Sequence, residues 1–129
     1  MFSLALERRH RVLMVRVTGV MSSQDFDTHD HAVLAFLARE GMVRGLYDFS
    51  AVDAVAVPAS KVVQRGQAPS IITDRVVVAP RSASEEFARA IRDQQRLAGH
   101  REPTIVATLC EAYSLLGLDD AHFEPIDAF

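Results

Sequence analysis

Apolar and polar residues alternate with period two over residues 3–7 (SLALE) and again over 12–18 (VLMVRVT), with RRH between them. That period puts every second side chain on one sheet face, so the two runs predict an antiparallel hairpin half-covered by the core. VTGVMSSQDF then predicts a turn at Gly19. Ser22 and Ser23 follow as N-cap residues, with Asp25 and Asp27 on the first helical turn, where the dipole favours negative charge. From there the period lengthens to that of a helix. Phe26, Val33, Phe36, Leu37 and Glu40 fall near one face, and Gly41 supplies the stop.

VRGLYDF (43–49) is short, apolar at its centre and follows a helix, as a central parallel strand does. The stretch after it, up to Pro58, is expected as an exposed loop at the carboxyl end of that strand, where binding or switching sites tend to sit. Pro58 suits the first turn of a short helix, PASKVVQRG, ending at Gly66. DRVVVAP (74–80) is a strand closed by Pro80. A helix over 82–99 follows, with Ser82 and Glu85 as a capping-box pattern and Phe87, Ile91, Gln94 and Leu97/Ala98 as the inward stripe. PTIVAT (103–108) is another strand, and Thr108 with Glu111 caps the helix LCEAYSLLG (109–117). The predicted order is β-β-α-β-α-β-α-β-α, an α/β fold with a mixed, mostly parallel β-sheet and helices packed on it. Residues 1–118 form its single domain, and 119–129 an acidic, partly apolar tail lying on the surface or against a partner.

At 129 residues the chain is long enough for one continuous core. Its formal net charge of −3 shows no built-up basic face, so nucleic acid is not an expected partner. The densest positive patch, RRHR (8–11), falls at the hairpin turn. No apolar run reaches the length of a membrane span, and the N-terminal residues lack a signal-peptide pattern. Cys110 is the only cysteine, which excludes an internal disulfide and a Cys-based zinc site and suits a reducing cytoplasm. It is expected as a small buried hydrophobe on the inner face of its helix. Lys61 is the only lysine among 14 basic residues, a bias that with abundant Ala and Val points to a GC-rich bacterial genome.

The chain has no G-x-S-x-G elbow for a hydrolase nucleophile, and its six glycines are dispersed rather than clustered to cradle phosphate. DFDTHDH (25–31) is the densest candidate cluster. Asp25 and His29 are four apart, as are Asp27 and His31, so each pair shares a helix face and could hold a metal or act as an acid/base couple. Helical angles turn the two pairs to different faces, however. His29 is then expected at the edge of the core with one nitrogen satisfied, and neither a metal nor a cofactor is expected. Asp48, Ser50 and Asp53 flank the end of the central strand, the usual place for a ligand in a parallel α/β sheet, although each has an ordinary turn or edge role open to it. Arg89 sits between Glu85 and Asp93 at four-residue spacing, a surface ion-pair ladder.

LYDFSAVDAV (46–55) together with PTIVATLCEAYSLLGL (103–118) resembles the STAS domain, in the SpoIIAA-like branch of small stand-alone bacterial proteins. Glu111, Ala112 and Leu115-Leu116-Gly117 match the strand-into-helix close of that family, and Arg89 in FARAIRD its customary arginine. The resemblance implies a non-enzymatic regulatory or protein-interaction module that recognises another protein or itself through Asp48, Ser50, Asp53, Pro58 and Ser60. The family's phosphoacceptor serine is missing, because Ala56, Val57 and Pro58 stand in its place. Ser50 and Ser60 are the nearest hydroxyls, open either to modification or to closing a turn and lying on a helix surface. SpoIIAA-like proteins are also similar to the lipid-carrying Sec14-like fold. That implies an alternative, a binding module for a small apolar ligand or lipid, lined or capped by apolar residues including Phe123, Ile126 and Phe129. An enzyme built on the Asp/His cluster is the third expectation.

Overall fold

The computed structural model describes residues 1–126; Phe129, expected in the apolar tail, lies outside them. Ten elements follow in order: β1 (Phe2–Glu7), β2 (Val12–Ser22), α1 (Ser23–Glu40), β3 (Arg44–Ala56), α2 (Ala59–Gln67), β4 (Arg75–Val78), α3 (Ser82–Leu97), β5 (Thr104–Val106), α4 (Leu109–Leu116) and β6 (Glu124–Ile126). The sheet order is β5-β4-β3-β2-β1-β6. β2 through β5 pair in parallel, while β1 pairs antiparallel with both β2 and β6. The fold is α/β with a mixed six-stranded sheet. Among the described residues, no helix is long and apolar enough to cross a membrane.

Alternation along the strands divides the core between two faces. Leu13, Val15 and Val17 of β2 join Phe49 of β3 and Val77 of β4 on one face, under α1 and α3. Val12, Met14, Leu46, Val76 and Val78 turn to the other, under α4. All four residues of β4 are buried, as expected of a strand with both faces covered. α1 buries His29, Ala32, Val33 and Phe36, with Phe26 and Leu37 half-buried beside them. Ser22 is its N-cap, and the Ser22 backbone N–H donates to Asp25 Oδ2 at 2.7 Å. Gly41 ends the helix as predicted.

Several expectations are corrected. Gly19 does not turn the chain: β2 runs through it, and its positive φ of 73° accommodates a register shift against β3. The segment expected as a loop after residue 49 is strand as far as Ala56, because β3 continues alongside Thr18–Ser22 of β2. α3 begins after Arg81, without a side-chain cap; Glu85 pairs instead with Arg89 at 3.0 Å, and Arg89 has no part in a ladder with Asp93. Leu97 points outward at 77% exposure. Cys110 is exposed, because α4 buries the face of Ala112 and Leu116, about 100° per residue around the helix from it. Residues 119–126 do not lie loosely. Leu118, Ala121 and Phe123 cover the second face of the sheet, Phe123 stacks on Tyr113 at 6.0 Å, and β6 pairs Ile126 with Leu4.

Candidate functional site

A cavity of about 120 Å³ opens between the first face of the sheet, α1 and α3. Its floor follows the alternation of three strands: Val15 and Val17 on β2, Tyr47 and Phe49 on β3, Val77 on β4. Phe26 on α1 and Phe87, Ala88 and Ile91 on α3 close over it. Gly45 makes room in the floor. A Cβ there would stand 3.2 Å from both the Tyr47 ring and Ile72 Cγ2, and 3.3 Å from Arg75 Cβ. Phe26 and Arg65 also line a second hollow of about 190 Å³ between α1 and α2, so these two side chains partition one space from the other. The Arg65 guanidinium lies 5.5 Å above the centre of the Phe26 ring.

One wall carries a hydrogen-bonded chain. His29 Nδ1 is 2.9 Å from Asp30 Oδ1, and His29 Nε2 is 2.8 Å from the Tyr47 hydroxyl. Arg65 binds the other Asp30 oxygen. Burial by itself would raise the Asp30 carboxyl; the hydrogen bonds from His29 and Arg65 and the Arg65 charge outweigh it and hold the group at about 2. An ionised carboxylate only accepts, so a hydrogen on His29 Nδ1 faces Asp30, and Nε2 shares the second bond with the Tyr47 hydroxyl. Burial pushes the Tyr47 hydroxyl up to about 12, against the pull of the Arg65 and Arg75 charges. The Tyr47 hydroxyl therefore stays protonated and is no nucleophile. Two further polar groups reach the cavity from the opposite end: Arg75 at the start of β4, and Gln95 of α3 with its hydrogen-bond partner Ser70.

The sequence candidates fall elsewhere, except His29 and Asp25, which both line the cavity. Asp48 is only 2% exposed and faces the other side of the sheet. Its Oδ2 accepts from Arg16 Nε at 2.9 Å, and its Oδ1 from the backbone N–H and hydroxyl of Ser50 at 3.0 and 2.5 Å. The pair thereby pins the first register shift between β2 and β3. Asp53 is exposed and paired with Arg81 at 3.1 Å; Pro58 is the N-cap of α2, and Ser60 lies exposed on that helix. Of these five residues, Asp48 and Ser50 are joined by hydrogen bonds. Asp25 caps α1, Asp27 pairs with Lys61 at 3.7 Å, and His31 is exposed. Among the described residues, no three His, Cys, Asp or Glu side chains converge as metal ligands. Asp25 lines the cavity while its carboxylate serves Ser22 and the N-terminal amine. His29 pairs with Asp30 and Tyr47 rather than with Asp25, and both its nitrogens are engaged.

Tyr47, Asp30, Arg65, Arg75 and Gln95 were not legible as a site. A charge opening the otherwise apolar run RVVV, and a tyrosine inside a central strand, were the available signals. No family model matches this chain, and no curated protein matches its sequence.

Proposed function

We propose that this protein is a non-enzymatic module that binds one small apolar ligand in the cavity between α1, α3 and the sheet. The carrying observation is the cavity itself: about 120 Å³, half open to solvent, between the sheet and its helices, lined by apolar and aromatic side chains with a few fixed polar groups. An apolar occupant gains there by removing its own surface and the apolar lining from water. A cavity of about 150 Å³ takes a benzene ring, so one ring or a short aliphatic chain sets the scale here. The polar groups support binding over chemistry, since Tyr47 stays protonated and both nitrogens of His29 are held. The Sec14-like kinship implied by the STAS resemblance fits the same reading. The exposed, unpaired Cys110 supports a reducing compartment such as the cytoplasm.

The test is a titration of isotope-labelled protein with 1-hexanol, followed by amide and methyl shifts. Saturable shifts at Val17, Phe49, Phe87 and Ala88 are expected. Shifts that stay linear, or that scatter over the surface, would overturn the proposal.

One observation favours a second reading, an interaction module. Among the described residues β3 beyond Asp48 pairs with β2 alone, so its other edge from Ser50 to Ala56 carries no strand, and Arg81 bonds there to the Val52 carbonyl and to Asp53. An open edge of that kind is a template for a strand from another protein or from a second copy. Sedimentation equilibrium decides self-association: a monomer at millimolar concentration rules it out.

A further inference from the structure

The cavity has two unlike ends. Register places Tyr47 between Val15 and Val77, with Arg75 opposite Gly45 and Phe49 four residues beyond Gly45. On this face the strands therefore step from Arg75 through Tyr47 to Phe49, a span of about 13 Å. The far end is aromatic: Phe87 packs against both Phe26 and Phe49, at 5.8 and 6.2 Å between ring centres.

The near end carries unmet polar capacity. The Arg75 guanidinium is 8% exposed and bonds only to main-chain carbonyls, of Ile72 at 3.5 Å, Thr73 at 3.0 Å and Arg101 at 3.3 Å. Among the described residues no carboxylate lies within ion-pair distance of it, although buried cations are ordinarily paired. Burial pushes Arg75 down from the usual arginine range; Tyr47 works against that, and the Arg101 and Arg65 charges add to it. The surroundings thus lack one negative charge. Gln95 is 5% exposed; its Nε2 donates to Ser70 Oγ at 3.2 Å and its Oε1 has no partner. Turning the amide over keeps the Ser70 bond, now donated by the hydroxyl, and leaves the NH₂ group as the unmet one. Ser70 lies two residues before Ile72, whose carbonyl Arg75 holds, so the Gln95 and Arg75 anchors share one loop.

We propose that the occupant is a small carboxylate amphiphile. Its carboxylate accepts from the Arg75 guanidinium and the turned Gln95 amide, and its apolar body of about six carbons, limited by the cavity volume, points toward Phe49 and Phe87. The assignment rests on the ligand-binding function proposed above and adds the head group.

The test uses one chain with three heads, hexanoate, 1-hexanol and hexylamine, titrated into the wild type, Arg75→Met and Gln95→Leu. Hexanoate is expected to bind the wild type about 10- to 100-fold more tightly than hexanol, the range of a charge-assisted hydrogen bond, and hexylamine the most weakly. Arg75→Met should remove the hexanoate preference and leave hexanol binding unchanged. Gln95→Leu, close in size and apolar, carries the test if Arg75→Met does not fold: it should weaken hexanoate several-fold and leave hexanol equal or tighter. Equal affinity of hexanoate and hexanol for the wild type would overturn the carboxylate assignment and leave the apolar cavity site standing. No saturable binding of any of the three would overturn both.

Discussion

Ala88→Leu tests the cavity directly. Ala88 is 4% exposed on α3 and lines the cavity between Phe87 and Ile91. Leucine adds three carbons, and if all three enter dry space the transfer is worth about 2.4 kcal/mol. Freezing the longer side chain takes back about 0.5–1 kcal/mol. The net expectation is a gain of about 1.5 kcal/mol. Urea unfolding read by circular dichroism measures it: the midpoint rises with an unchanged m-value. The same variant should lose at least about tenfold in affinity for 1-hexanol, because leucine takes the ligand's place. A loss of about 1 kcal/mol or more in stability would refute the reasoning, since that is the signature of forcing carbons into a filled core.

Tyr47→Phe leaves His29 Nε2 buried without its partner and should cost about 1–2 kcal/mol in urea; a double-mutant cycle with His29→Leu should return a coupling of similar size. Asp30 is held at about 2, below its ordinary 3.8, so its contribution is fully present above about pH 4 and is lost as pH falls through 2. With its side chain 32% exposed, that loss should be about 1 kcal/mol and absent in Asp30→Asn, measured by urea midpoints between pH 5 and 2. Gly45→Ala should push the Tyr47 ring and Ile72 off their present positions, cost about 1–3 kcal/mol and reduce hexanol affinity, seen in the same two assays. Asp48→Ala should cost about 2–3 kcal/mol by stranding Arg16 and Ser50, yet leave hexanol affinity unchanged, because Asp48 faces the opposite side of the sheet.

The missed site shows where pattern reading stops. His29 stood out as an imidazole on the edge of an apolar stripe, but its partners are Asp30, adjacent in sequence, and Tyr47, 18 residues away. Helical spacing favours partners four residues away, and here it pointed to Asp25, which the helix N-terminus already uses. Arg65 and Gln95 look like any polar residue on an amphipathic helix, and only the packing of α2 and α3 brings them to the cavity. Asp48 misled for a related reason. An aspartate at a strand's end reads as a ligand, whereas the strand runs on and the aspartate braces an irregularity inside it.

By itself the sequence determined the number and order of most elements, the hairpin with its turn at RRHR, the buried parallel centre and the caps at Ser22 and Thr108. Each depends on neighbours within a few residues, through side-chain period, φ preference or a local hydrogen bond. Tertiary structure alone decided how far β3 runs, where residues 119–126 dock, and that three strands and two helices leave a cavity between them. Those depend on pairing and packing across the fold. The free energy of a strand edge or a cavity belongs to residues far apart in sequence, and no local period records it.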